Sequence, residues 1–167
     1  MEQLGFHYQP IGFIRSPFTQ QAGTPVQPSH DNATCGEIVL DEQYLPALQD
    51  LAGFSHIWVL CHLHQAKAAK LTVTPYLDDK PHGLFATRAP SRPNPVGMSL
   101  LRLTRIEHNR LFVQDLDLLD GTPVLDIKPF VAQFDNRQQS QCGWFDSAAT
   151  AKVKQQADDR FAKNDSK

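Results

Sequence analysis

The segment 86–98 reads Ala-Thr-Arg-Ala-Pro-Ser-Arg-Pro-Asn-Pro-Val-Gly-Met. Pro90, Pro93 and Pro95 hold the backbone at φ of about −65° and exclude a helix or a central strand. A loop stiffened in this way loses little entropy when something binds it. Arg88 and Arg92 project from it, each offering a planar fork suited to carboxylate or phosphate. Asn94, between two prolines, both donates and accepts. A rigid, polar, cationic loop suits a preformed pocket for an anionic group. It equally suits a stiff connector whose arginines pair with Asp or Glu.

A second cluster, 115–130, reads Asp-Leu-Asp-Leu-Leu-Asp-Gly-Thr-Pro-Val-Leu-Asp-Ile-Lys-Pro-Phe. Strand alternation puts Asp115 and Asp117 on one face, with Leu116 and Leu118 on the other. Asp120 stands at the turn Asp120-Gly121-Thr122-Pro123. Asp126 and Lys128 share a face and can form an ion pair. Carboxylates beside a turn can accept from a ribose hydroxyl or an amino group, and a hairpin with polar outward positions fits the same spacing. His56, His62 and His64 fall at even spacing on one strand face, but His56 and His62 are about 20 Å apart when extended. Sharing one ion needs converging ligands, so no metal is expected. His64 and Gln65, at the strand end, are better placed to reach into a site.

The elements that must position these residues are mostly strands. Residues 8–14 read as a first strand and 37–40 as a second, with a long polar loop, 19–34, between them. Asp41 is a candidate N-cap for a helix over 42–51 that Pro46 kinks or delays. Residues 55–63 are β-branched, aromatic and nearly all apolar, which predicts a strand covered on both faces. Residues 83–86 read as a short strand. Residues 98–107 and 111–116 form a hairpin turning at 108–110, and 124–127 resumes a strand. The expected fold is mainly β, a small closed or strongly curved barrel of about six to seven strands with one or two short helices. No Gly-x-Gly-x-x-Gly follows a strand, so a Rossmann-type site is not supported. The barrel domain is expected over 1–146, and 147–167 as a weakly helical or disordered tail.

The 167 residues fit one domain. Hydrophobic residues at 41% and charged residues at 20% describe an ordinary soluble mix. No apolar run approaches the ~20 residues that span a bilayer, and no signal peptide is legible. Three scattered cysteines fit a reducing, cytoplasmic setting. The net charge of −2 predicts no polyanion partner by itself. Between Lys80 and Arg110, however, six cations (Lys80, Arg88, Arg92, Arg102, Arg105, Arg110) face one anion, Glu107. Such a local basic stretch can attract phosphate.

Four blocks together carry a likeness. They are Ile11-Gly-Phe-Ile-Arg-Ser-Pro-Phe18, the segment 54–65, the segment 83–101 and the segment 117–130. In these the chain resembles the TrmO (TsaA-like) family, β-barrel methyltransferases that use S-adenosylmethionine on N6 of adenosine-37 of tRNA. The resemblance implies threonylcarbamoyladenosine beside the anticodon as the modified base, and a homodimer with the cofactor near the subunit interface. It implies cofactor contacts at Pro25, Val26, Gln27, His64, Gln65, Arg88, Met98, Asp117, Leu118, Leu119 and Asp120. Arg92, Asn94 and Lys128 are then the expected RNA contacts, and Asp126 and Asp120 the candidate bases for the N6 proton. Where the family pattern reads Pro-Arg-Gln, this chain has Pro25-Val26-Gln27. Longer bacterial members carry a further C-terminal domain where this chain has 147–167. A different small-molecule or nucleotide acceptor, or a non-catalytic S-adenosylmethionine-binding module, would keep the same pocket.

Overall fold

Alternating apolar and open side chains turn most of this sequence into short, curved strands. The computed structural model describes residues 5–21, 23–25, 34–148 and 161. Its strands are β1 (Gly12–Arg15), β2 (Gly36–Leu40), β3 (His56–His62), β4 (Thr72–Val73), β5 (His82–Gly83), β6 (Val96–Glu107), β7 (Arg110–Gln114) and β8 (Pro123–Pro129). Six of them close an antiparallel barrel in the order β1-β2-β7-β6-β3-β8. Closure comes from β8 pairing back onto β1, with Gly12 opposite Val124 and Phe13 opposite Pro123, so each of these six strands has a neighbour on both sides. β4 and β5 form a separate two-stranded ribbon. The expected mainly β barrel is the fold observed.

Inward positions fill the barrel with aliphatic side chains. Ile14, Ile38, Ile57, Val59, Leu101, Leu111, Leu116 and Val124 are all fully buried. At the β6–β7 turn His108 takes a left-handed φ of 53°. Asn109 Nδ2 donates to the Leu40 carbonyl at 2.7 Å, and the Leu40 amide donates back to the Asn109 carbonyl. The hairpin is thereby tied to β2.

Several expectations are corrected. The first strand is shorter than 8–14, because residues 8–10 are exposed and pairing begins at Gly12: Gly12–Arg15 pair with β2, and Gly12 and Phe13 pair with β8 as well. The helix expected over 42–51 is two 3-10 segments, Glu42–Leu48 and Leu51–Gly53. Pro46 removes a donor inside the first, and Asp50, at φ 64°, separates the two. Asp41 caps with its carbonyl, which accepts from the Tyr44 amide, and makes no side-chain cap. β3 is buried on one face only: Ile57, Val59 and Cys61 point inward, while His56, Trp58 and Leu60 are half-buried outside. Residues 83–86 split between the end of β5 and a 3-10 turn, Leu84–Ala86.

Two short helices follow the barrel, α1 (Ala132–Asp135) and α2 (Trp144–Ala148). No helix among the described residues is long and apolar enough to cross a membrane. Within the expected tail 147–167, Phe161 is buried and packs edge-on against Tyr76 at 5.1 Å.

At Gly12, β1 lies against β2 with no room for a side chain. A Cβ there would stand 2.3 Å from the Val39 carbonyl oxygen and 2.7 Å from the Leu40 Cα. Both are backbone atoms that cannot swing aside. Gly12→Ala should therefore destabilise the barrel by ~1–3 kcal/mol, the usual range for overpacking, read as a lower urea midpoint at unchanged slope. An unchanged midpoint would contradict this packing.

Candidate functional site

The chain leaves β7 through Asp115, whose φ of 63° is left-handed. This break ends the strand before the acidic cluster, so Asp115 and Asp117 do not share the strand face that alternation predicts. Leu116 and Leu118 instead drop into the core. Asp117, between them, lies beside β6, where the Ser99 hydroxyl donates to its Oδ1 at 2.7 Å. Ser99 is itself buried. Burial pushes the Asp117 carboxyl up to about 7, against the pull of the Ser99 hydrogen bond and the Arg88 guanidinium. The neighbouring Cys61 thiol is raised to about 12 by burial and by the Asp117 charge, so it stays a neutral, inert side chain.

Asp117 belongs to the wall of a cleft of about 840 Å³ at one end of the barrel, within the range of small-molecule sites. The segments after β3, before and at the start of β6, and between β7 and β8 supply most of the wall. Gly97 leaves room there for two side chains, since a Cβ would meet Cys61 Sγ at 2.7 Å and Leu63 Cδ2 at 2.8 Å and both would have to shift. Tyr76, Phe85, Trp144 and Phe161 give the cleft an aromatic side. Trp144 is fixed by its Nε1–H donating to the Ala86 carbonyl at 2.8 Å and by stacking on His82 at 4.5 Å. His82 is hydrogen-bonded in turn to Asp78 at 2.9 Å, a bond that holds the Asp78 carboxyl below its ordinary range. Gln21 also lines the cleft, and its Oε1 is buried without a hydrogen-bond partner.

Of the residues singled out in the sequence, Pro25, His64, Gln65, Arg88, Arg92, Met98, Asp117, Leu118 and Leu119 all line this cleft. His64 parts from His56 and His62, its Nδ1 lying 3.4 Å from Thr122 Oγ1. Among the described residues no cluster of three or more His, Cys, Asp or Glu is placed to hold a metal. Val26 and Gln27 lie outside the described residues. Asn94 is exposed in the proline loop and is not part of the wall.

Asp120 and Asp126, the candidate bases, are not in the cleft wall. Asp120 accepts from the Ser16 amide at 3.1 Å and faces Arg15 at 3.9 Å, clamping the end of β1. Asp126 and Lys128 make the expected ion pair, 2.8 Å apart, on β8 outside the cleft lining. The basic stretch also divides. Arg105 pairs with Glu107 and covers the Phe112 ring at 3.6 Å, and Arg110 pairs with Glu37. Arg88 and Arg92 alone of the six line the cleft. Arg92 donates to the Thr87 and Ala89 carbonyls and so braces its own loop.

Ser99 was the readable omission. Gly97, Ser99, Leu101 and Leu103 share one strand period, which puts a hydroxyl on the core face. Gln21 and Trp144 carry no local signal, since tertiary packing brings them to the cleft.

An acid whose pKa rises on folding binds its proton more tightly in the folded state. Its contribution therefore falls as pH climbs from about 4 to about 7 and levels off above that. Asp117→Asn removes this titration. Its melting temperature relative to the unsubstituted protein should rise from pH 4 to pH 8 (about four units), and a constant difference would contradict the buried carboxyl.

The family model described as the tRNA-methyltransferase O N-terminal domain matches residues 13–136. A "Probable S-adenosyl-L-methionine-binding protein" of Pyrococcus abyssi is 43% identical over 154 residues, 92% of this chain and 84% of that protein. A tRNA (adenine(37)-N6)-methyltransferase of Mus musculus is 38% identical over 138 residues, 78% of this chain and 32% of that enzyme. A crystal structure of TrmO aligns with a TM-score of 0.73 at 40% identity, covering 86% of this chain and 63% of that one. This chain thus spans a minor part of the mouse enzyme and under two thirds of the TrmO chain. Sequence and barrel agree across most of its length, and the chain belongs to the tRNA-methyltransferase O N-terminal domain family.

Proposed function

We propose that the chain is an S-adenosyl-L-methionine-dependent methyltransferase that modifies N6 of adenosine-37 in tRNA, with threonylcarbamoyladenosine as the acceptor base. The observation that carries this reading is the cleft itself. Its lining combines aromatic and aliphatic side chains with the Arg88 cation, the half-buried Asp117 carboxyl and the His64–Gln65 pair. Related proteins named for S-adenosyl-L-methionine binding and for tRNA adenine-37 methylation support it. The fit to the cofactor also rests on Gln21. A buried acceptor with no partner is what an incoming ligand N–H would answer.

His64, Gln65, Arg88, Met98, Asp117, Leu118, Leu119 and Pro25 would hold the cofactor, with Val26, Gln27 and Asp120 flanking it in sequence. When bound, the cofactor supplies a methyl group on a sulfonium. The chain's own part is to bind, orient and exclude water. Alignment of acceptor and methyl group within a stiff-walled cleft supplies much of the rate. Trp144 and Phe85 offer aromatic surface in the cleft lining. Arg92 and Asn94, on the proline loop, and Lys128, on the outer wall, are the proposed RNA contacts toward the anticodon loop. Phe85, Met98 and Val96 are exposed by 79%, 50% and 44% at the cleft rim. An apolar rim of this kind supports a homodimer that covers it. A cytoplasmic location fits the free cysteines.

Nucleoside mass spectrometry of tRNA from a strain lacking this gene should show loss of the N6-methyl mark. Retention of the mark, with no redundant enzyme present, would overturn the tRNA assignment. Arg88→Ala should weaken S-adenosyl-L-methionine binding by ~1–3 kcal/mol, the range for a charge-assisted contact, measured by calorimetry. Unchanged affinity would remove Arg88 from the site.

A further inference from the structure

Among the described residues lining the cleft, Asp117 is the one carboxylate, in a lining that also includes Leu63, Leu118 and Trp144. It cannot swing away. Leu116 and Leu118 anchor its backbone on both sides in the core, and Ser99 fixes one oxygen from β6. The ionisable groups around it act in known directions. Arg88, from the proline loop, favours its charged form. Cys61, on β3, is held neutral and does not compete. His64, beyond β3, lies at the cleft with its ring nitrogen near Thr122.

A methyl donor and its demethylated product share their adenosine and amino-acid parts. They differ in one methyl group and in the positive charge on sulfur. Arg88 and the apolar walls act alike on the shared parts, whereas a fixed carboxylate acts on the charge. On the reading that this cleft takes S-adenosyl-L-methionine, we propose that Asp117 is the specificity-determining residue that favours the cationic donor over its neutral product. Ser99 is the positioning residue that holds the carboxylate for that task. The consequence is kinetic as well as thermodynamic. Once the methyl group leaves, the charge that Asp117 holds is gone, and product departs from a cleft that no longer prefers it.

The carboxyl titrates near neutrality, so the preference depends on pH. In acid Asp117 is protonated and the preference fades; in base it is charged and the preference is complete. The test measures, by calorimetry, the ratio of affinities for S-adenosylmethionine and S-adenosylhomocysteine at about pH 6 and about pH 8. In the unsubstituted protein the ratio should favour the donor by about tenfold or more at the higher pH and fall several-fold at the lower. Asp117→Asn should bring the ratio close to unity at both while product binding persists. Ser99→Ala should move the midpoint of the pH profile upward, because it removes a hydrogen bond to the charged form. A merely structural serine would leave that midpoint in place. Equal ratios in the unsubstituted protein and Asp117→Asn, or a ratio flat with pH, would overturn the proposal while leaving the cofactor site intact. If neither ligand bound the unsubstituted protein, the cofactor reading would fall with it. Should Asp117→Asn bind neither ligand, the unsubstituted protein's pH profile and Ser99→Ala decide the question.

Discussion

Leu116 and Leu118 lie in the barrel core with a carboxylate between them. The left-handed turn at Asp115 makes this possible, since it frees the chain from β7 and lets it cross the barrel end. Two buried leucines fix the backbone of the residue between them far better than a surface loop would. Asp117 is therefore held at the cleft with one oxygen already bonded to Ser99. The wall around it follows from the same closure. The residues after β3, the start of β6 and the β7–β8 connection meet because β3 pairs with both β6 and β8.

A buried carboxyl is destabilising when charged and unpaired. The fold tolerates it because Ser99 and Arg88 offset part of the desolvation. The residual penalty is what makes the group useful. A carboxyl that titrates near neutrality responds to a ligand's charge, whereas a fully solvated one is already ionised and surrounded by competing water. Cys61 shows the opposite outcome in the same neighbourhood: deprotonation is pushed far above neutrality, and the side chain serves packing.

The cations illustrate how one run of charge serves two purposes. On the β6–β7 hairpin, Arg105 and Arg110 pair with acids and flank Phe112, which shields the outer sheet face. Surface pairs of this kind contribute little to stability, but they occupy the guanidinium groups. On the proline loop, Arg88 lies at the cleft and Arg92 braces the loop that carries it. The cleft-lining cations thus sit on a loop stiffened by prolines and by hydrogen bonds to its own carbonyls.

Much of this protein was legible in its residues. Short alternating runs and turn chemistry specify a small β-barrel, and the stiff Arg88 loop and the 117–119 segment stand out in the sequence itself. Local patterning suffices there because period and proline chemistry act over a few residues. It failed where long-range packing decides. Pro46 and Asp50 broke a helical period into 3-10 turns, and Asp115 ended a strand that alternation would have continued. Asp120 at its turn and Asp126 beside Lys128 were the candidate bases and Asp117 an implied cofactor contact, yet only Asp117 of the three entered the cleft wall. That choice depends on which carboxylate barrel closure carries inward, and on Ser99 lying opposite it from a strand eighteen residues away. The sequence determined the kinds of groups available and the stiffness of the loops that bear them. The tertiary structure alone decided which acid lines the cleft, because the convergence of side chains is a property of the closed barrel and not of any segment within it.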